Sequence, residues 1–482
     1  MLRVSVAIPS GRAETFELPE SSKVGDLRLL AQKFFQLGFL KLVDTKNRVL
    51  HPEEFLQAVE LKEGDHLTAI AREAKVAATA NCIALFCCEG DQVVTWGSPE
   101  RGPHGRIPEF KGVQQVQTTQ DAFAAILADG SVVTWGSSFS GGDSSHVQPQ
   151  LRGVQQIQAT SGAFAAILAT GSVVTWGTLQ SGGDSSNVKK QLKDVQQIQA
   201  TTRAFAAILA DGSVVTWGSV FEGGDSSRVG DQLKGVKEIQ ATKNAFAAIL
   251  ADGSVVTWGS PFGGGDCSRV RDQLKGVQQI QATSLAFAAI LADGSIVTWG
   301  DPHHGGDSSD IWDQLENVQQ IQATKDAFAA VLAVGSVVTW GNPHFGGDSS
   351  LVQEKLKGVQ LVQATDYAFA AILADGSVVS WGAPQSGGDS SDVWDQLKDV
   401  QQIQATTRAF AAILADGSVV TWGSAFDGGD SSRVRDQLKG VRQIQASGQA
   451  FIAILADGSI VTWGAPANGG DSSAAADRLA FV

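Results

Sequence analysis

The residues best suited to chemistry are bunched once, in the D-P-H-H of Asp301, His303 and His304, with His344 one unit further on. Such residue types ligate metals or exchange protons when three or four converge at fixed spacing. Neither a third spaced ligand nor an adjacent acid-base pair accompanies them, so they are expected as surface histidines and no metal site is assigned. A recurrent G-G-D-S-S string raises calcium, since Asp beside glycine lines many metal-binding turns. The acid occurs once per unit and lacks the nonapeptide period of calcium-binding β-rolls, so a turn followed by a helix cap is expected. Cys82, Cys87, Cys88 and Cys267 show neither paired ligand spacing nor a disulfide framework. That favours a reducing compartment, cytosol or nucleus. No catalytic residue or cofactor is assigned, and the chain is expected not to be an enzyme.

What must position these side chains is a unit of about 41 residues marked by S-V-V-T-W-G. Its tryptophans fall at Trp96, Trp135, Trp176, Trp217, Trp258, Trp299, Trp340, Trp381, Trp422 and Trp463, the signature of a repeat architecture. One unit, 113–153, reads V-Q-Q-V-Q-T-T, A-F-A-A-I-L-A, D-G, S-V-V-T-W-G, a variable stretch, G-G-D-S-S and H-V-Q-P-Q-L. Asp129-Gly130 between two β-prone runs predicts a tight primed hairpin turn with positive φ. The strand 122–128 sets Phe123 and Leu127 on one face and Ile126 among alanines on the other, so both faces must be covered. Phe123, Trp135 and their copies are expected to fill the seam between units. Val147 and Leu151, four apart, predict a short helical stripe after Asp143-Ser144-Ser145. The unit is therefore about three strands plus one short helical or irregular segment.

Bulk properties narrow the partners. A net charge of -14 argues against nucleic acid, whose binders need a basic face to release counterions. The longest recurrent apolar run, A-F-A-A-I-L-A, is too short to cross a bilayer. Met1 to Leu18 alternates like strand and has no signal-peptide pattern. No membrane association is expected.

The first seventy residues differ from the rest. L-R-V-S-V-A-I, the turn residues Pro9-Ser10-Gly11 and an alternating stretch from Glu14 to Leu18 predict a hairpin. Ser21 or Ser22 can cap a helix carrying Val24, Leu27, Leu30 and Ala31, with Phe34 and Phe35 near its end. The strand F-L-K-L-V, a turn at Gly64-Asp65 and the strand from His66 follow. This order resembles the ubiquitin-like β-grasp fold over residues 1–72, an α+β domain, with a short linker over 73–80 running into the first repeat strand. The resemblance implies an apolar partner patch on the sheet, with Leu42 and Val43 as its counterparts. The segment runs on through Ala71-Arg72-Glu73-Ala74-Lys75 in place of a Gly-Gly tail, so it is not expected to be a conjugated modifier.

Over residues 76–482 the order I-Q-A-T, two variable residues, A-F-A-A-I-L-A-D-G, S-V-V-T-W-G and a glycine-rich turn resembles the RCC1 repeat. That implies a mainly β fold, a propeller whose neighbouring blades cover both faces of every sheet. About ten units exceed the seven of the usual family ring, and each is shorter than the family's blade. One large ring, two smaller rings and an open coil all remain open. The columns of glutamine in V-Q-Q-I-Q would suit stacked ladders in an open β-solenoid. The first unit, which lacks the preceding L-K-G-V, and the last, which stops at Arg478 to Val482, could together complete one blade.

Differences between copies gather in the pair before A-F, which includes Tyr367, and after W-G, where Phe221, Phe262, His303, Phe345 and Phe426 stand in predicted loops. Loops on a rigid scaffold carry recognition, and aromatics dominate interface energetics. These six are the candidate partner-binding residues of the array. The expected function is a non-enzymatic protein-interaction scaffold, an adaptor between a client protein and ubiquitin-pathway machinery. The resemblance also implies two alternatives: a guanine-nucleotide exchange factor for a small GTPase, and a ubiquitin ligase component without its own catalytic domain. The exchange role depends on a wedge in one blade, and no insertion breaks the period. A direct ligase would need a nucleophilic cysteine in a separate lobe, and the sequence ends at Val482 within the array.

Overall fold

The computed structural model describes residues 1–37, 39–72, 74–79, 81–87, 93–98 and 112–475. Cys88 and the last residues of the array lie outside them. The alternating N-terminal stretches form β1 (Leu2–Ala7) and β2 (Ala13–Leu18), followed by α1 (Val24–Phe35), β3 (Leu40–Val43), β4 (Val49–Leu50) and β5 (His66–Ala71). They make one sheet in the order β2-β1-β5-β3-β4, with β1 and β5 parallel. This is the expected β-grasp arrangement. Val24, Leu27, Ala31 and Phe35 of α1 pack on Val4, Val6, Leu42 and Leu67 of the sheet. The helix cap is not Ser21 or Ser22: the Lys23 N–H donates to Asp26 Oδ2 at 2.9 Å. An acid inside the first turn can cap from within because the helix dipole favours it there.

Leu42 and Val43 do not form a partner patch. Both are buried, at 1% and 8% exposure, because β3 lies between β5 and β4 and Leu42 turns toward α1 in the core of the head. The linker expected over 73–80 is largely strand, since β6 already runs Ala74–Ala78.

From β6 onward the chain forms ten three-stranded antiparallel sheets. The first is β6 with β7 (Cys82–Cys87) and β8 (Val93–Gly97); the last comprises Val441–Ala446, Ala450–Leu455 and Ile460–Gly464. Among the described residues each sheet comes from one unit alone; Arg478 to Val482, expected to complete a blade with the first unit, lie outside them. In the unit spanning 277–300 the strands are Val277–Ala282, Ala286–Leu291 and Ile296–Gly300. The first strands of successive units lie beside one another toward the axis.

The period-2 alternation of A-F-A-A-I-L decides how units join. Ala245, Ala247 and Ile249 of one unit face Phe287, Ala289, Val297 and Trp299 of the next, with Leu274 of the connecting segment between them. Large side chains thus fill the hollow that alanine leaves. Phe287 and Trp299 stack with ring centroids 5.2 Å apart, and the indole N–H donates to the Gly264 carbonyl of the preceding unit at 3.0 Å. Gly264 sits at φ 89°, and a Cβ there would meet Phe287 Cδ2 at 2.6 Å. Any side chain would push the seam apart.

This bond also shows that the array closes. Trp176, Trp217, Trp258, Trp299, Trp340, Trp381, Trp422 and Trp463 each donate to the glycine carbonyl 35 residues earlier. Trp96 of the first unit donates to Gly469 of the last at 2.9 Å. The units therefore form a single ring, which excludes the open coil and the paired rings. The closing seam is built to its own measure. Ile83 stands opposite Trp96 where the other units have Phe, and Ile452 takes an alanine's place on the facing sheet. The exchange returns the volume that Phe would have filled. Phe39 of the head packs into the same cluster with Ile83, Trp96, Ile452 and Ile454, and Arg442 Nη2 donates to the Gln36 carbonyl at 2.7 Å.

The D-G hairpins differ from expectation in one detail. Only Gly130 has positive φ, at 75°. The Leu127 N–H donates to Ser131 O and the Gly130 N–H to Leu127 O, as in a three-residue loop ending in a left-handed residue. Asp129 instead works through its carboxylate, which accepts from the Ser131 N–H at 2.9 Å and hydroxyl at 2.6 Å. The Ser hydroxyl, then the backbone N–H, holds the carboxyls of Asp129, Asp211, Asp252, Asp293, Asp375 and Asp416 below the usual range. A folded-state pKa below the unfolded value of about 3.9 contributes stability present above that value and lost as pH falls through the folded pKa. The urea midpoint should therefore drop on acidification below about pH 4. Asp252→Asn with Asp293→Asn should flatten that slope; an unchanged slope would refute the assignment.

The G-G-D-S-S segment forms the expected turn, Asp143 Oδ1 accepting from the Ser145 N–H at 2.9 Å, but not the expected helix cap: a 3₁₀ turn, Gln148–Gln150, follows, and its N-cap is Val147 with no side-chain bond. Val147 and Leu151 still reach the seam.

Candidate protein-binding face

Both places where the copies differ lie at one end of the ring. The first strand ends at the pair before A-F, and the W-G loop folds back onto that pair, the Ser137 N–H donating to Asp121 O. Beneath the pair a buried column of threonines fixes the loops. Thr283 Oγ1 receives the Ala286 N–H at 3.0 Å and donates to the His304 carbonyl at 2.9 Å.

Around the axis the backbones of successive pairs are joined directly. The N–H of Gln120 donates to Ser161 O, and the chain of bonds continues through Thr202, Lys243, Ser284, Lys325, Asp366 and Thr407 to Gly448, at 2.8 to 3.1 Å. Each residue bonds to its copy one unit on. Ten such steps of about 4.8 Å, the spacing of hydrogen-bonded strands, would close a circle roughly 15 Å across. This rail rims an axial cavity of about 650 Å³ lined by Lys243, Ser284, Lys325 and Asp366 among others. Backbone bonds and tryptophan–glycine bonds join the units, whereas Gln240 and Gln196 bond within their own units, to Glu238 and to the Asp194 carbonyl.

Outside the rail each described W-G loop, from Trp135 to Trp463, is a short helical turn that places the fourth residue after Trp outward. Phe221, Phe262 and Phe426 stand there, 86%, 80% and 64% exposed, and His303 is exposed as well. Phe139 holds the same column at 86%. It is missing from the residues predicted from sequence, although its spacing from Trp135 marks it. Phe221, Phe262, His303 and His344 come from four successive units and form a continuous arc.

Phe345 and Tyr367 are not free anchors. Phe345 stands five after Trp340, a position that turns inward, and its ring lies 4.9 Å from that of Tyr367. Lys325 Nζ and Arg408 Cζ flank the Tyr367 ring at 5.4 and 5.3 Å, and Lys325 pairs with Asp366 at 2.5 Å. Burial pulls the Lys325 pKa down, yet the bond to Asp366 leaves it raised. The same inward position holds Glu222 against Arg203 at 3.3 Å, where burial lifts the Glu222 carboxyl despite the arginine. His304 Nε2 lies 3.1 Å from Asp326 Oδ1, and its Nδ1 3.5 Å from Asp301 Oδ1. Asp301 itself accepts from the His303 N–H. The D-P-H-H cluster is thus divided: His304 braces the loop and His303 faces solvent.

No family model and no curated protein matches the chain. Among solved structures it is similar to Prp20p of Saccharomyces cerevisiae, described with its binding to Gsp1p and histones, at 15% identity over 50% of this chain and 74% of that one, TM-score 0.31. A second structure of yeast RCC1 (Prp20), bound to Kap60, gives 15% identity over 62% and 88%, TM-score 0.33. The head is similar to the ubiquitin of Caldiarchaeum subterraneum, 21% identical over 15% of this chain and 94% of that one, TM-score 0.14. RCC1 is thus among the neighbours, but at such scores the likeness carries no argument, and the propeller reading stands on the seams and closing bonds above. Among the described residues no helix is long and apolar enough to cross a membrane.

Proposed function

We propose that the ring is a non-enzymatic scaffold that binds a protein partner across the face carrying the W-G loops. The observation that supports this most is the column of exposed phenylalanines at one loop position, held by a rail that leaves the loops little freedom. Exposed large aromatics on a rigid base cost hydration in the free state and recover it against a partner. The adaptor role is the finer form of this reading. There the β-grasp head would address ubiquitin-pathway machinery, through exposed side chains such as Val49 and Phe55 in place of the buried Leu42 and Val43. An exchange factor or a ligase component would use the same face, and the captured protein distinguishes them.

The test is affinity capture with the full chain beside Phe221→Ala/Phe262→Ala. These exposed changes leave the seams intact, so the fold should be retained by circular dichroism. Loss of a defined partner from the variant is the expected result. An unchanged set of captured proteins would remove this face from consideration.

A further inference from the structure

The outer rim carries a second feature, unlike the loop face. After G-G-D-S-S the second to ninth units each make a short turn whose apolar anchors, from Val147 and Leu151 to Val434 and Leu438, enter the seam. In two units the residue between those anchors is spent on internal hydrogen bonds. Gln148 Nε2 donates to the Val132 carbonyl at 2.8 Å while its Oε1 accepts from Ser144 Oγ, and Gln353 does the same with Val337 and Ser349. In the sixth and eighth units this place is taken by Trp312 and Trp394, in S-S-D-I-W-D-Q-L and S-S-D-V-W-D-Q-L. Ile311 and Val393 still pack toward the seam, which leaves the two indoles outside, 73% and 64% exposed. Leu351, on the unit between them, is 98% exposed. These units therefore set large apolar surface in water at a position where the fold has a satisfied polar alternative.

Acid gathers around each of the two tryptophans, while the unit between them carries Lys355 and Lys357, the latter paired with Glu354 at 2.9 Å. Each Trp has an acid two residues before it and one directly after: Asp310 and Asp313, Asp392 and Asp395. From Asp307 to Asn317 there is no lysine or arginine at all. The flanking fifth and ninth units carry R-V-R at the corresponding place, Arg269-Arg271 and Arg433-Arg435. An indole face beside carboxylates suits a lysine or arginine side chain, attracted by the ring quadrupole and by the charge together. Two such places with an exposed leucine between them suit a segment with cations at both ends and an apolar centre.

We propose that this belt on units six to eight binds a basic, partly apolar segment of a protein partner, at a site separate from the loop face. Nucleic acid and anionic membrane are disfavoured by the carboxylates, and a second copy of the chain would bring a like-charged belt unless it docked through its R-V-R loops.

The test uses the full chain and a fluorescently labelled twelve-residue peptide with lysines flanking a leucine-rich centre. Anisotropy should show salt-sensitive binding, and the peptide should protect the two exposed tryptophans from acrylamide quenching; the ten W-G tryptophans are buried and contribute little. Trp312→Ala/Trp394→Ala should weaken binding at least tenfold. Asp310→Asn/Asp313→Asn/Asp392→Asn/Asp395→Asn should weaken it and reduce its salt dependence, and Phe221→Ala/Phe262→Ala should leave it unchanged. Undiminished binding by the tryptophan variant would overturn the proposal. So would sedimentation showing a dimer that the same variant dissolves while the peptide fails to bind.

Discussion

Trp299→Ala is expected to destabilise the ring by about 3 to 5 kcal/mol, the range for truncating a large buried aromatic. The side chain is buried, stacks on Phe287 and satisfies the Gly264 carbonyl, so its removal opens a cavity and orphans an acceptor in a single change. Ala245 and Ala247 on the facing sheet lie too close to the backbone to fill the space, and Ile249 and Leu274 are already packed in the same seam. Urea unfolding measures the loss, and Trp299→Phe separates its parts. Phenylalanine restores most of the volume but still orphans the Gly264 carbonyl, so about 1 to 3 kcal/mol should be lost. Equal losses in the two variants would mean that the bond, and not the packing, holds the seam.

Phe39→Ala should cost a comparable amount, about 3 to 5 kcal/mol, but in one place. Phe39 enters the cluster where the first and last units meet, and the Arg72 N–H bonds to its carbonyl at 2.7 Å. The head thereby acts as a clasp over the closing seam. Hydrogen exchange should quicken in Cys82–Cys87 and Ala450–Leu455 and stay slow in Ala286–Leu291 across the ring. Uniform acceleration would show that the head stabilises the ring as a whole, and none would show that the seam closes without it.

Much of this was legible in residue order. The alternation of A-F-A-A-I-L announced a strand covered on both faces, and the recurrence of Phe and Trp marked the seam, since one large residue per unit must meet a matching hollow. Closure was not legible. It rests on Trp96 meeting Gly469, residues 373 apart, and on Ile83 and Ile452 trading volume, a pairing that shows only once the two are known to touch. The candidate site was half legible. Phe221, Phe262 and Phe426 fell where loop position predicted, but Phe345 stands one residue later in its loop, enough to turn it inward onto Tyr367. Leu42 and Val43 failed for another reason: a short strand reads the same whether its neighbours cover it or not. Trp312 and Trp394 lie outside the W-G loops, in a segment whose apolar residues all suit a seam, and their contrast with glutamine becomes evident only when Gln148 is seen bonding inward.

The rail of backbone hydrogen bonds around the axis also bears on how many units such a ring can hold. Ten units share a full turn at roughly 36° each, and nine or eleven would ask about 40° or 33°, since curvature in repeat arrays is a small rotation summed over copies. A change of three or four degrees per joint is small against the angular tolerance of an N–H···O bond. Gain or loss of a whole copy should therefore strain no single joint, and duplication can lengthen the circle while the side chains of every seam stay the same. The costly place is the closing pair, where Ile83, Ile452 and Phe39 are fitted to one another alone. Copy number is free to drift within the array, and the clasp stays fixed.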